Sequence, residues 1–112
     1  RFGHGVVPMD EALVDAAVDI SGRPYLAWNV SFQRPKIGEM DTELFEEFFR
    51  ALAFNALVTL HVTMRAGVNA HHVAEASFKA TARALRTVVR RFHDFSFQWR
   101  SRREPLLVRS RS

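Results

Sequence analysis

The chain has no cysteine among its 112 residues. Disulfides and thiolate metal sites are therefore excluded, and a reducing, cytoplasmic setting is the expectation. Also missing is any apolar run of about twenty residues, the length a membrane-spanning helix needs, so no membrane partner is expected. No signal peptide is recognisable. The chain opens at Arg1 without a start methionine, which leads to the expectation of a processed or fragmentary N-terminus. What remains is 47% apolar, enough for the core of one small domain with little to spare.

Charge of one sign is absent from the front of the chain and concentrated at its end. Residues 1–89 carry seven Arg and two Lys against ten acids, a balance of −1, while 90–112 carry seven Arg against Asp94 and Glu104, a balance of +5. The net +4 thus belongs to the tail, and a nucleic-acid partner is not the expected one, since that reading would rest on this segment alone. The division expected is a folded unit over 1–89 and a basic, aromatic tail over 90–112 of unassigned structure.

Arg1 to Gly5 reads as a short lead-in, and Val6 to Met9 as a possible edge strand ended by Pro8. Ala12, Val14, Ala16, Val18 and Ile20 alternate with Leu13, Asp15, Ala17 and Asp19, which argues for a strand, although the alanine content and Asp10 as an N-cap leave a helix possible. Ser21-Gly22-Arg23-Pro24 reads as a turn, and Tyr25 to Phe32 alternates again, so the two segments are expected to form a hairpin. Gln33 to Met40 is a loop in which Arg34 and Lys36 are exposed by default.

A helix then begins at Asp41 or Thr42, where acids gather near the positive end of the dipole. Its core face is expected to hold Leu44, Phe45, Phe48, Leu52 and Ala56, with Phe49 and Phe54 off that stripe. Leu57 to Arg65 reads as a strand. A second helix follows from Ala70, with Ala74, Phe78, Ala82, Leu85 and Val89 expected inward. The order β-β-α-β-α, with a possible extra N-terminal strand, predicts an α+β two-layer domain: a mostly antiparallel sheet with two helices on one face. In the tail, Phe95, Phe97 and Trp99 alternate, which allows a short added strand or an aromatic-basic arm.

Chemistry concentrates at Gly67 to Lys79. On a helix, His71 and Glu75 are four residues apart and His72 and Glu75 three, so all three share a flank with Lys79 one turn on. Imidazole and carboxylate donors without sulfur suit Mn, Fe, Zn or Ni, and an octahedral site would favour Mn or Fe. The plain alternative is a surface helix carrying two histidines and a carboxylate near its start. His4 and His93 have no such surroundings, and His61 alternates with the apolar side of its strand.

The string G-x-N-x-H-H-x-x-E-A-x-F-K from Gly67 to Lys79 resembles the second signature of the imidazoleglycerol-phosphate dehydratase family, manganese enzymes of histidine biosynthesis. Arg1-Phe2-Gly3, Pro8 to Leu13, Asp19 to Pro24, Gly38 to Leu44 and Thr59 to Val62 stand in the same order and spacing as in that family. The likeness runs from Arg1 to about Val89 and covers the second of the family's two similar halves.

The resemblance implies a sheet carrying two helices, whose helical face meets another half, so self-association or a complementary half is expected. It implies Mn2+, with Zn2+ or Fe2+ as alternatives, held by His71, His72 and Glu75 together with ligands from the other half. Glu47, within Phe45-Glu46-Glu47-Phe48-Phe49, stands where the family has a further ligand histidine; otherwise it is a first-turn helix carboxylate. Arg1 and Arg23 fall where family arginines grip the substrate phosphate. Lys79 is the candidate catalytic residue, or simply the i, i+4 partner of Glu75. The family's Asp-Pro-Arg segment and Pro-Ser-Thr-Lys-Gly-like tail are not recognisable after Val89. The implied reaction is loss of water from imidazole glycerol phosphate, a small phosphorylated substrate. Two other readings stand beside it: a metal-binding half-domain that assembles without much catalysis, and an interaction module using the basic tail.

Overall fold

A computed structural model describes residues 1–111. Its elements are β1 (Phe2–Met9), β2 (Ala12–Asp19), β3 (Tyr25–Asn29), β4 (Lys36–Ile37), β5 (Met40–Asp41), α1 (Glu43–Ala56), β6 (Thr59–Ala66) and α2 (Ala70–Arg111). Four strands form one sheet in the order β1-β2-β6-β3, and β4 and β5 form a separate small hairpin. The two-layer α+β class expected from the sequence is what forms.

Period-two burial organises the sheet. Gly3, Gly5 and Val7 of β1 face inward, as do Ala12, Val14, Ala16 and Val18 of β2. Leu60 and Val62 of β6 are fully buried, so this strand takes a central place. Pro8 can sit in β1 because β1 is an edge strand. The segment before Val6 is therefore part of a strand, not a polar lead-in.

The expected hairpin between the second and third strands does not form. β2 pairs antiparallel with β6, and β3 lies on the far side of β6, parallel to it. Alternation identifies strands but not their neighbours, and the apolar β6 is inserted between these two. The 20–24 connection instead crosses the start of β6, where Ser21 Oγ lies 3.0 Å from Thr59 Oγ1 and Thr59 Oγ1 donates to the Arg23 carbonyl at 3.1 Å. A parallel β3/β6 pair needs a crossover, and α1 provides it. The tight antiparallel connection is the one between β1 and β2, where Met9 pairs with Ala12 around the two-residue turn Asp10-Glu11. Asp10 takes a left-handed φ of 50° there, which shows it in a turn and not at a helix start.

Thr42 precedes α1 without capping it through its side chain. Its hydroxyl donates instead to the carbonyls of Arg34 and Pro35, both at 3.1 Å, and its N–H to Pro35 at 2.9 Å. The loop expected over 33–40 is thus drawn into the β4–β5 hairpin against the helix start. The inward residues of α1 are Phe49 and Ala53, while Leu44 and Phe48 are exposed, which corrects the expected stripe by one position. With apolar residues at 44, 45, 48, 49 and 52, spacing alone defines a broad surface. Trp28 decides the register by stacking on Phe49 at 5.0 Å.

A similar shift occurs on α2. Val73, Ala76, Ser77, Ala80, Ala84 and Val88 are buried, whereas Phe78, Ala82 and Val89 are exposed. The cause is close approach: a Cβ at Gly5 would lie 2.5 Å from the Ala80 carbonyl, and one at Gly3 would collide with the Ala84 carbonyl. Small residues fit between helix and strand at this separation, Ala80 and Ala84 against the glycines, with Val88 the larger side chain that the bare Gly3 receives. The larger Phe78 turns to α1 and meets Phe49 and Phe48 at 4.9 and 5.3 Å.

α2 continues through the tail to Arg111, so the strand considered there is replaced by helix. Phe97 and Trp99 are exposed on it, while the side chains of Phe92, Phe95, Ser96 and residues 102–112 lie outside the described residues. Among the described residues no helix is long and apolar enough to cross a membrane.

Phe49→Ala is expected to cost about 3–5 kcal/mol, the usual range for emptying a buried aromatic site. Phe48→Ala should cost well under half of that, and denaturant unfolding of the two variants side by side checks the register of α1.

Candidate metal and substrate site

The first turn of α2 is fastened to the β1–β2 turn by one carboxylate. Glu11 Oε2 accepts the N–H groups of Val68 at 2.9 Å and Asn69 at 3.0 Å, and Glu11 Oε1 lies 2.6 Å from His72 Nδ1. Asn69 caps the helix, its Oδ1 accepting the His72 N–H at 3.1 Å. Gly67 makes the preceding bend possible: its φ is 154°, and a Cβ there would sit 2.5 Å from Val73 Cγ2.

These contacts set the local electrostatics. The Glu11 carboxyl is pulled from 4.5 to about 2, first by the Val68 N–H, then by His72 and the Asn69 N–H. It is therefore an anion that can only accept, so Nδ1 of His72 carries the proton between them. The same bond raises the pKa of His72 above its ordinary 6.5, with smaller support from the charges of Glu11, Asp10 and Glu75. Nε2 of His72 points the other way, 3.6 Å from Asp10 Oδ2.

His71 stands beside His72 with ring centroids 6.3 Å apart and planes at 68°. It opens on a cavity of 610 Å³ also lined by Glu11, Arg34, Lys36 and Asn69. That volume is in the ordinary range for small-molecule sites. Glu75 lies one turn on and faces Lys79 at 3.6 Å, an exposed i, i+4 pair. Glu47 sits on α1, beside a hollow formed with Arg50, Ala51 and Phe54.

Arg1 and Arg23 are at the other end of the sheet. The Arg1 carbonyl accepts the Ile20 N–H at 3.0 Å, and Arg23 belongs to the turn over the start of β6. His72 is held at the opposite ends of β1 and β2, so the length of an eight-residue strand, about 23 Å, separates the two groups.

A metal ion would find compatible donors here but no closed set. Among the described residues, no group of three or more His, Asp or Glu side chains is placed to hold one. His72 nonetheless has the arrangement typical of a ligand imidazole, one nitrogen fixed by a carboxylate and the other directed outward. The chemistry of these donors is compatible with a divalent metal ion, but on their own they do not enclose one. Asp10, Glu11 and Asn69 had no assigned role in the sequence. Their signal was two acids in a two-residue gap between alternating apolar runs, with an Asn three residues before His72.

Comparison with known proteins extends these observations. The family model for imidazoleglycerol-phosphate dehydratase matches residues 1–85. The dehydratase of Gluconacetobacter diazotrophicus is 76% identical over 86 residues, covering 77% of this chain and 43% of that protein. The one from Granulibacter bethesdensis is 68% identical over 91 residues, covering 81% and 46%. Among solved structures, the Staphylococcus aureus dehydratase superposes with a TM-score of 0.76 at 53% identity, covering 78% of this chain and 51% of that one. The Pyrococcus furiosus enzyme, solved in complex with (S)-C348, gives 0.72 at 42% identity, covering 78% and 49%. The class is thus a two-layer α+β domain of the kind found in solved dehydratases. The chain belongs to the imidazoleglycerol-phosphate dehydratase family, and it spans about half the length of the relatives it matches.

The Glu11–His72 contact has a defined pH window. Glu11 contributes stability fully above 4.5 and loses it as pH falls through about 2. His72 contributes fully below 6.5 and loses it as pH rises through its raised value. The contact is therefore at full strength between about pH 4.5 and 6.5. An NMR titration should place the His72 midpoint above 6.5, and Glu11→Gln should bring it back toward that value.

Proposed function

We propose that this chain is the carboxy-terminal half of an imidazoleglycerol-phosphate dehydratase, removing water from imidazole glycerol phosphate when a second protein surface completes its site. The observation that carries the proposal is His72, fixed by Glu11 and Asn69 in the same helical turn that directs His71 into a cavity. Imidazole acetol phosphate is the product, and histidine biosynthesis the pathway.

His71, His72 and Glu75 would hold Mn2+, with Zn2+ or Fe2+ as alternatives and Glu47 as a further candidate. The metal supplies Lewis acidity that makes the substrate imidazole an electron sink and acidifies the adjoining C–H. Glu11 keeps the proton on His72 Nδ1, leaving Nε2 as the donor atom. Asn69 fixes the backbone that carries both histidines. Lys79 leaves its exposed pairing with Glu75 to meet the substrate, a small loss since such pairs are worth about 0.3–0.5 kcal/mol. Arg1 and Arg23 grip the phosphate through planar, permanently charged guanidinium groups. Because these arginines lie at the far end of their own sheet, they serve a site whose histidines come from another copy or from the complementary half.

Exposed apolar residues support assembly. Phe48, Phe54, Phe78 and Val89 present a helical face with 38–62% of their surfaces open, as expected of a domain that docks against another. The cytoplasm is the proposed compartment, in keeping with the lack of cysteine. A second reading is an assembling metal-binding half-domain with little catalysis, for which the same exposed apolar face speaks.

Native mass spectrometry and metal analysis, followed by assay with imidazole glycerol phosphate, separate the two. The first reading expects turnover only when the complementary half is added. The second expects Mn-dependent oligomers of this chain alone, lost in His72→Ala, and no turnover with either preparation. Turnover by the isolated monomer would overturn both.

A further inference from the structure

We infer that the arginines along α2 are a docking face for duplex DNA, with Arg83, Arg86, Arg90 and Arg100 held against its phosphate backbone. The inference is independent of the dehydratase reading and concerns residues to which that reading gives no role.

Three observations carry it. The first is alignment. Arg83, Arg86, Arg90, His93, Phe97 and Arg100 follow one another at steps of three or four along a single helix, and all are exposed. Such spacing places them on one face, which runs about 26 Å from the first to the last. Counted along the chain, Arg83 and Arg86 belong to the near-neutral front and Arg90 and Arg100 to the basic end; on α2 the four share one side. Arg83, Arg86, Arg90 and His93 also border one hollow of 780 Å³, so this part of the stripe is a common surface and not a scatter of single cations.

The second is access. Arg86 and Arg90 each stand two residues, about 200° of helix, beyond the buried Ala84 and Val88, so the stripe points away from the sheet. Arg90 is about 100° round the helix from Val89, and assembly through the apolar helical face therefore leaves the arginines open. Among the described residues, the buried positions of α2 end at Val88, yet the helix continues to Arg111, roughly 35 Å further. Most of that extension lies outside the 1–85 match to the dehydratase family.

The third is charge. Among the described residues no carboxylate lies within ion-pairing distance of Arg83, Arg86, Arg90 or Arg100, whereas Lys36, Arg50, Arg65 and Lys79 each have one. A row of uncompensated guanidinium groups calls for an anion that repeats along its length. Duplex DNA carries one negative charge per roughly 1.7 Å of axis, and its major groove, about 12 Å wide, admits an α-helix. The major groove of A-form RNA is too narrow for side chains to read. A single strand calls for a series of aromatic platforms, and a membrane surface for a broad apolar face. On this stripe Phe97 is the one apolar side chain.

Fluorescence anisotropy of a short labelled DNA duplex of mixed sequence, titrated with the full chain, tests the assignment. Four phosphate contacts predict a salt slope of about −3.6, so affinity should fall roughly hundredfold between about 50 and 200 mM salt. Arg83→Gln/Arg86→Gln should bring the slope about two units closer to zero and weaken binding at the lowest salt about tenfold or more. Arg50→Gln, on α1, should change neither. Glutamine is nearly as good a helix former as arginine, and far-ultraviolet circular dichroism verifies that the double variant keeps its helix. An unchanged slope in the double variant overturns the inference, as does an absence of duplex binding. Tighter binding to a single strand of the same length, or equal competition by polyglutamate, overturns it too. Binding to phosphatidylglycerol vesicles at matching affinity, lost in the same double variant, would replace DNA by a membrane surface.

Discussion

One carboxylate ties the structure to its chemistry. Glu11 belongs to a two-residue turn between edge and inner strands, yet it holds two backbone N–H groups before α2 and one imidazole upon it. The N–H groups near a helix start lack intrahelical partners and carry partial positive charge, so an anion there is stabilised while it fixes the helix. The same contact sets the tautomer of His72. The orientation of the histidine pair is thus a property of the sheet as much as of the helix, because the turn that places Glu11 is formed by strand pairing.

The rest of α2 follows from how closely it lies on that sheet. Gly3 and Gly5 receive Ala80 and Ala84, and the absence of side chains on the strand allows backbone and helix to approach. Larger residues are consequently pushed to the other side of the helix, where Phe78 meets the α1 aromatics. Phe45, Phe49 and Phe78 form the joint between the two helices, with Trp28 anchoring it to β3. The helical layer is therefore held by aromatic contacts between helices and by small-residue contacts to the strands.

Much of this architecture is legible in the sequence. The inward set of β2 and the buried Val58, Leu60 and Val62 follow from alternation, and the order of the main elements from turn and cap signals. The helical faces differ from those that periodicity predicts for a physical reason: periodicity ranks residues by hydrophobicity, whereas the α2 interface selects by size. The strand order was hidden because the partner of β2 lies about forty residues downstream. His71, His72 and Glu75 stood out as donors by spacing. The residue that orients one of them, Glu11, comes from a different element, and such partners emerge only when strands and helices are assembled. Arg34 and Lys36 read as ordinary exposed cations, since nothing local reveals that they line a cavity together with His71.

The separation of Arg1 and Arg23 from the histidine turn by a strand's length has a pharmacological reading. Under the proposed assembly, a molecule that engages both groups at once would bridge two protein surfaces, so its apparent affinity would grow with protein concentration as the surfaces associate. One that fills only the cavity beside His71 needs a single copy, and its affinity will be indifferent to dilution. Dose–response curves at several enzyme concentrations would therefore sort inhibitors of this family by the surface they occupy.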